Sequence, residues 1–177
     1  MKVIGIAGKA ESGKSSFASI LKEELEGQGK KVLLINYGDF VKFIAEKYYN
    51  WNGEKDVKGR ALLQKIGTEQ GRNGVGENIW VDMVINTIQV AKNDYDVAIV
   101  ADCRFPNEFE RWREFGVDMI KIKIVRPNYK NKLTLEQRQH ASETSLDNYN
   151  DNLIIVKNEG TFANLRQAAQ EIIKVNL

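Results

Sequence analysis

Cysteine and histidine are almost missing from this chain of 177 residues, which has one of each. A single cysteine, Cys103, excludes a disulfide within the chain and suits a reducing compartment. A single histidine, His140, cannot form a zinc site by itself. No apolar run approaches the ~20 residues that cross a bilayer, and the strand-like start at Val3 leaves no room for a signal peptide. We therefore expect a cytoplasmic protein that does not bind membranes.

The chain also lacks an excess of charge of one sign. Its 26 basic and 24 acidic residues give a net charge of +2, too balanced to favour a nucleic acid polymer or an anionic membrane as partner. Its length suits one sizeable core and is short for two domains. We expect a single domain over residues 1–177 that binds small molecules, and a homodimer stays open.

What the chain does have is a glycine-bounded loop between a strand and a helix. The run Val-Ile-Gly-Ile-Ala ends at Gly8, and the letters GKAESGKS lead into a helical pattern. This is the G-x-x-x-x-G-K-[ST] pattern in its proper context, so a chance match in a glycine-containing turn is the weaker alternative. Gly8 and Gly13 let backbone N–H groups point inward at phosphate oxygens, at the positive end of a helix.

The side chains of this loop suit a nucleoside triphosphate. We expect Lys14 to reach the β- and γ-phosphates in catalysis and the Ser15 hydroxyl to bind Mg²⁺. The loop residues predicted to bind the triphosphate are Glu11, Ser12, Gly13, Lys14, Ser15 and Ser16.

Five buried-type strands separated by helices predict an α/β fold with a five-stranded parallel sheet. The strands are expected at 3–7, 31–35, 97–101, 119–125 and 152–156. The helical material at about 40–92 exceeds what one crossover needs, which predicts an insertion that covers a substrate.

Asp102 follows the third strand, at the edge of the sheet where ligands bind in open α/β folds. We expect its carboxylate to help hold Mg²⁺, and capping of the following helix is the alternative. Arg104 is expected in the same crevice, where a guanidinium can bind a phosphate through two hydrogen bonds. Cys103 is expected to pack rather than react.

A basic stretch runs from Lys121 in the fourth strand to Arg138, with one acid, Glu136, among six cations: Lys121, Lys123, Arg126, Lys130, Lys132 and Arg138. Arginines stabilise the charge of a migrating phosphoryl group, so we assign Arg126 and Arg138 to a catalytic lid at about 126–143. Solvated surface positions are expected for the lysines.

Asn-Lys-Leu-Thr at 131–134 lacks the aspartate of a guanine-selecting loop, which argues against a GTPase. We expect His140 to be structural or part of the lid, and Glu143 to orient a lid arginine or cap a turn.

Polar side chains of the insertion suggest a substrate cleft. Asp39 follows the second strand, and Arg60, Gln64 and Arg72 form a polar helical face. Trp80 is able to stack on a base, although a core position is the commoner outcome for a tryptophan on a regular stripe.

Nearly the whole chain resembles the phage-type deoxynucleoside monophosphate kinases of the P-loop kinase group. The resemblance rests on ordered motifs: GKAESGKS at 8–15, Asp39 with Lys42, LLQKIGTE at 62–69 with Arg72 and Trp80, DCRFPNE at 102–108, Arg126, HASE at 140–143 and NEGT at 158–161.

The resemblance implies a three-layer P-loop NTPase fold of the nucleoside monophosphate kinase type, with Mg²⁺ and ATP on the loop and the acceptor under the insertion. It places Arg72 and Arg104 at the acceptor and Arg126 and Arg138 in the lid. It also places residues 158–161 near the adenine, with Asn158 and Gly160 as ATP-binding residues. The full substrate-binding set is Asp39, Lys42, Arg60, Gln64, Arg72, Trp80, Asp102 and Arg104.

The expected function is ATP-dependent phosphorylation of deoxynucleoside monophosphates to diphosphates. Kinases of phosphomevalonate look similar in the loop, the strand-end Asp and the lid, so another small phosphate-bearing acceptor is one alternative. A nucleotide-binding regulatory module without turnover is the other.

Overall fold

The architecture is a five-stranded parallel sheet between two layers of helices, as the sequence predicts. The structure is a computed structural model that describes residues 1–127, 129 and 131–177. The strands are β1 (Lys2–Ala7), β2 (Val32–Ile35), β3 (Val97–Cys103), β4 (Ile120–Val125) and β5 (Leu153–Lys157). Their order across the sheet is β2-β3-β1-β4-β5, and every neighbouring pair is parallel. The carboxyl ends of β1 and β3 therefore lie side by side.

Eight α-helices and two helices of other types connect the strands within the described residues. The α-helices are α1 (Lys14–Gly27), α2 (Tyr37–Tyr49), α3 (Val57–Gln64), α4 (Ile79–Ala91), α5 (Asn107–Glu110), α6 (Leu135–Gln139), α7 (Ala141–Thr144) and α8 (Phe162–Asn176). A π-helix, Lys65–Val75, continues α3, and a 3₁₀-helix, Arg111–Phe115, continues α5. None of the described helices has the length and apolar character needed to cross a membrane.

The alternating directions of the β1 side chains explain why helices cover the sheet on both faces. Ile4 and Ile6 are fully buried in a cluster with α1 and α8, while Val3 and Ala7 belong to a second cluster with α2 and α4. Successive strand side chains point to opposite faces, so β1, which is buried at every residue from Val3 to Ala7, is covered on both faces. The second cluster contains Trp80 of α4, which ties the inserted helices to the sheet.

The glycines and mixed charge at 51–59 predict a loop, and the pattern at 60–72 predicts a regular helix; both predictions are wrong in part, for local reasons. Helix α3 begins at Val57 inside the expected loop, because the Asp56 side chain accepts a hydrogen bond from Gly59 N at 2.7 Å and caps it. The expected regular helix from 60 to 72 changes at Lys65 into a π-helix. Its wider turns place the later residues on different faces than a period of 3.6 predicts.

Candidate active site

The loop between β1 and α1 has the conformation that its two glycines permit. Gly8 has φ +149° and Gly13 has φ +99°. A methyl group on Gly13 would lie 2.4 Å from Nδ2 of Asn158, which donates to Ser12 O at 2.9 Å. Both the backbone angle and the close neighbour therefore require glycine at position 13.

Replacing Gly13 with alanine is expected to destabilise the loop and to abolish ATP binding, since the left-handed conformation alone costs about 1–2 kcal/mol. Isothermal titration with ATP and thermal melting measure the two effects. Gly27→Ala is the matched control, because a methyl group there meets no atom within 4 Å. Wild-type ATP affinity in Gly13→Ala would contradict this account of the loop.

Lys14 is buried at the start of α1 and turns back into the loop. Its Nζ donates to Gly8 O at 2.7 Å and to Lys9 O at 2.8 Å. Burial, and secondarily the Arg104 guanidinium, lower the pKa of Lys14 to about 7, while Glu143 and Asp102 act in the opposite direction. An anion in the loop would favour the charged form of this amine.

A cavity of about 660 Å³, the loop cavity, opens beside these residues. The predicted residues that line it are Glu11, Gly13, Lys14, Ser15, Ser16, Arg126, Asn158 and Gly160. Thr161, the last residue of the stretch 158–161 predicted near the adenine, also lines it, whereas Phe162 and Leu165 line it and were not predicted. Ser12 does not line it: the residue is buried, and its Oγ has no hydrogen-bond partner among the described residues.

A second cavity of about 240 Å³, the insertion cavity, lies between the carboxyl edge of the sheet and α2, α3, the π-helix and α4. It brings together six of the eight predicted substrate-binding residues: Lys42, Gln64, Arg72, Trp80, Asp102 and Arg104. Trp80 is both a core residue and part of the cavity wall, and its indole N–H donates to Gly67 O at 2.7 Å.

Asp39 and Arg60 do not line the insertion cavity. The Asp39 carboxylate accepts from Asn36 N at 2.9 Å and pairs with Lys42 at 2.8 Å, so it caps α2. Arg60 donates from Nε to Lys55 O at 3.0 Å. Local backbone partners hold both side chains.

Sequence reasoning missed several residues of the insertion cavity. Lys55 lines it from the segment before α3, and partial desolvation followed by the charges of Lys42 and Arg60 lowers its pKa. No spacing pattern marks a lone lysine in a segment of mixed charge. The other unpredicted wall residues are Tyr37, Gly38, Val41, Leu63, Gly67, Thr68, Phe105, Glu108 and Ser142.

Asp102 caps α2 and not the helix that follows β3. Its two oxygens accept from Tyr37 N at 2.8 Å and Gly38 N at 2.9 Å. The alternative expectation, a cap of the next helix, is wrong because Glu108 accepts from Arg104 N and Phe105 N instead. Burial raises the pKa of Asp102, against which the two backbone hydrogen bonds act.

The oxygen atoms of Ser15 and Asp102 are of the type that Mg²⁺ prefers. Ser15 is exposed and lines the loop cavity, and each Asp102 oxygen keeps acceptor capacity beyond its one backbone bond. Among the described residues, no three His, Cys, Asp or Glu side chains cluster as a complete metal site. Mg²⁺ is commonly bound by one or two protein oxygens, with waters and phosphates as the other ligands, so this donor set fits it.

Glu108 and Arg72 form a buried pair on one wall of the insertion cavity. Their side chains are 5% and 9% exposed and lie 3.5 Å apart. Arg72 also donates to Asn107 at 2.7 Å and stacks 3.8 Å above the Phe105 ring. Burial raises the pKa of Glu108 to about 7, although hydrogen bonds from the backbone and the charge of Arg72 oppose the rise. Arg72 is therefore held rigidly in the wall.

The two predicted lid arginines have different surroundings. Arg126 lies 4.0 Å from the Tyr129 ring centroid and lines the loop cavity. Arg138 is exposed, donates from Nε to Leu133 O at 3.0 Å and lines neither cavity. Glu11, in the left-handed region at φ +62°, accepts from the Tyr129 hydroxyl at 3.0 Å and from Lys132 N at 3.2 Å. Through these two hydrogen bonds, Glu11 holds the segment that follows β4 against the phosphate-binding loop.

Two lysines of the basic stretch do not occupy the solvated surface positions that were expected for them. Lys121 is buried, with Nζ 2.6 Å from Asp151, and Lys123 donates to Leu146 O at 2.5 Å. Lys130 lies outside the described residues.

Cys103 is buried, and burial raises the pKa of its thiol well above the usual value, in keeping with packing.

Comparison with known proteins gives a consistent picture. A family model described as deoxynucleotide monophosphate kinase matches residues 28–169. The deoxynucleoside-5'-monophosphate kinase of Escherichia phage T5 is 38% identical over 91 residues, which are 51% of this chain and 35% of that protein. The chain thus matches about a third of the length of this curated relative.

Similar solved structures support the fold alone. An APS kinase of Mycobacterium tuberculosis in complex with AMPPNP and APS is 16% identical with a TM-score of 0.55, over 98% of this chain and 95% of that one. A sugar kinase from Janibacter sp. HTCC2649 is 13% identical with a TM-score of 0.57, over 99% and 96%. Both have folds like this one.

Proposed function

Because the chain belongs to the deoxynucleotide monophosphate kinase family, we propose that it transfers the γ-phosphoryl group of ATP to the phosphate of a deoxynucleoside monophosphate. One observation carries the proposal most directly. The Glu143 carboxylate accepts from Ala10 N of the phosphate-binding loop at 2.8 Å and from Arg104, which lines the insertion cavity, at 2.5 Å. A donor phosphate and an acceptor phosphate would therefore meet at the carboxyl edge of the sheet.

The reaction breaks the bond between the γ-phosphorus and the oxygen that bridges it to the β-phosphate. A new bond forms from an acceptor phosphate oxygen to the γ-phosphorus, and ADP leaves. The acceptor is already anionic, so no general base is required. The residues of the chain contribute alignment and charge, the two terms that dominate phosphoryl transfer.

Roles for the residues follow from their positions. In this proposal the backbone of the loop and Lys14 would hold the β- and γ-phosphates, and Asn158 and Gly160 would contact the adenine. Arg126 would approach the donor from the segment after β4, and all four of these residues line the loop cavity. Ser15 and Asp102 would hold Mg²⁺, directly or through water. The ion would neutralise charge on the phosphate oxygens.

The acceptor is proposed to lie in the insertion cavity. Arg104 and Lys42 suit its phosphate, while Gln64 and Trp80 suit its base. Arg138 lines neither cavity, so its predicted role requires closure of the lid at about 126–143, which would also exclude water. We further propose a single domain in which residues 40–92 form the acceptor-covering part, and a cytoplasmic location.

A coupled assay of ADP formation tests the proposal against a panel of the four common deoxynucleoside monophosphates. We expect at least one of them to raise the rate well above the hydrolysis of ATP alone. Ribonucleoside monophosphates and phosphomevalonate serve as comparison acceptors. A rate that no deoxynucleoside monophosphate changes would reject the proposal, and stimulation by phosphomevalonate alone would reassign the acceptor.

A further inference from the structure

Glu143 is the one described side chain that bonds both to the phosphate-binding loop and to Arg104. Its Oε2 accepts from Ala10 N at 2.8 Å, and its Oε1 accepts from Nη1 of Arg104 at 2.5 Å. The Glu143 side chain is only 9% exposed. A single carboxylate thus joins an amide on the donor side to the guanidinium on the acceptor side.

The neighbours of Glu143 hold it in this place. The His140 ring accepts from Ser142 N at 3.2 Å through Nδ1, and Nδ1 lies 2.9 Å from the Ser142 hydroxyl. Glu143 N donates to His140 O at 2.8 Å. The hydrogen bonds within residues 140–143 therefore hold the Glu143 carboxylate in one orientation. This is the structural role of His140, the single histidine of the chain.

Glu143 provides the main hydrogen bond that orients the Arg104 guanidinium. Among the described residues, this guanidinium has acceptors only at Nη1, which are Glu143 and, at 3.4 Å, Ser142 O. Nε and Nη2 have no protein acceptor in that part of the chain, and Arg104 lines the insertion cavity. A guanidinium binds phosphate through a fork of two N–H groups, so one anchored nitrogen leaves the other two for an anion.

We propose that Glu143 is a positioning residue, which sets Arg104 relative to the phosphate-binding loop and so aligns the acceptor phosphate with the donor. The inference rests on the proposed function. Its effect is geometric: the charge of a carboxylate beside a phosphate site opposes binding, so a favourable contribution has to come from orientation.

Glu143→Gln tests the geometry with little change in size. Ala10 N and Arg104 bond to different oxygens of Glu143, and glutamine has an NH₂ group in place of one of them, so this group would face one of the two donors. We expect kcat/KM for the deoxynucleoside monophosphate to fall about tenfold to a hundredfold, the usual effect of losing one charge-assisted hydrogen bond. The KM for ATP should stay within about twofold of the wild-type value. Glu143→Asp keeps the charge but shortens the reach, so it should show the same acceptor defect.

Asp147→Asn is the matched control. Asp147 pairs with Lys9 at 2.8 Å and so also links this segment to the loop, but the pair is exposed and does not touch Arg104. We expect near wild-type kinetics from it, because exposed ion pairs contribute little.

A double-mutant cycle with Arg104→Met tests whether Glu143 affects the acceptor kinetics through Arg104. If Glu143 acts through Arg104, Glu143→Gln should cost much less in the Arg104→Met background than in the wild type. Equal costs in both backgrounds would overturn the inference while leaving the proposed function intact. A lower acceptor KM in Glu143→Gln, or full rescue by Glu143→Asp, would also overturn it, since either would mean that charge alone matters. Absence of transfer to any deoxynucleoside monophosphate in the wild type would reject the proposed function and this inference with it.

Discussion

Lys14→Met is expected to reduce turnover by at least about a hundredfold to a thousandfold, the range found when one preorganised donor to a developing charge is removed. The Lys14 amine lies inside the phosphate-binding loop, where its present acceptors are the Gly8 and Lys9 carbonyls. Bound phosphates would replace these carbonyls as partners. Methionine fills similar space but cannot stabilise charge on the migrating group.

The same change is expected to raise the thermal stability of the ligand-free protein near pH 6.5. Burial lowers the pKa of Lys14 to about 7 from 10.5. Below pH 7 the amine is charged in both the folded and the unfolded chain, so the cost of burying the charge is fully present. Between pH 7 and about 10.5 the folded protein releases the proton first, and the cost disappears. The melting advantage of Lys14→Met should therefore shrink as the pH rises towards 10.

Steady-state rates and melting curves at several pH values measure the two effects of Lys14→Met. Lys22→Met is the matched control, because Lys22 forms a half-exposed pair with Glu26 on the same helix. Wild-type turnover in Lys14→Met would contradict the assigned role. An advantage in melting temperature that grows with pH would contradict the sign of the pKa shift.

Arg104→Met is expected to lower kcat/KM for the deoxynucleoside monophosphate by about a hundredfold to a thousandfold, since two charge-assisted hydrogen bonds to the acceptor phosphate would be lost. The KM for ATP should change little, because Arg104 lines the insertion cavity and not the loop cavity. Arg104→Lys should recover only part of the loss, because an ammonium lacks the planar fork of a guanidinium.

Initial rates over a matrix of ATP and acceptor concentrations separate these terms. Arg111→Met is the matched control, since Arg111 pairs with Asp82 and Glu114 and lines neither cavity. An unchanged acceptor KM and kcat in Arg104→Met would move the acceptor phosphate elsewhere in the protein.

The fold was predictable because its signals are local and strong. Apolar runs or alternating apolar residues mark the strands, and the loop from Gly8 to Ser15 requires glycine at positions 8 and 13 because of its backbone angles. The helix pattern failed at Lys65, where a π-helix begins. A change of helix type depends on tertiary packing, which no periodicity of 3.6 encodes.

The site was predictable where one residue type serves one chemical purpose. Lys14 lines the loop cavity, and Arg104 and Asp102 line the insertion cavity, as loop and strand-end positions indicate. Asp39 and Arg60 looked equally suitable in sequence but are held by local backbone partners. A sequence alone does not say whether a polar side chain is satisfied by its neighbours or turned towards a ligand.

Long-range partners were the least accessible part of the site. Glu11 is predicted only as a member of the triphosphate-binding loop, yet it accepts hydrogen bonds from Tyr129 and Lys132, more than a hundred residues away. Glu143 had two open roles, and its contact with Arg104 became visible only once the turn at 140–143 lay beside the loop. Such pairings depend on how the chain folds back, which spacing does not reveal.

The central claim is direct transfer of the γ-phosphoryl group from ATP to the phosphate of a deoxynucleoside monophosphate. Incubating the protein with Mg²⁺, γ-labelled ATP and each deoxynucleoside monophosphate, and then separating the nucleotides, tests it most directly. The account predicts label in a deoxynucleoside diphosphate, formed in equal amount with ADP. Label found only in inorganic phosphate, whichever acceptor is present, would contradict it.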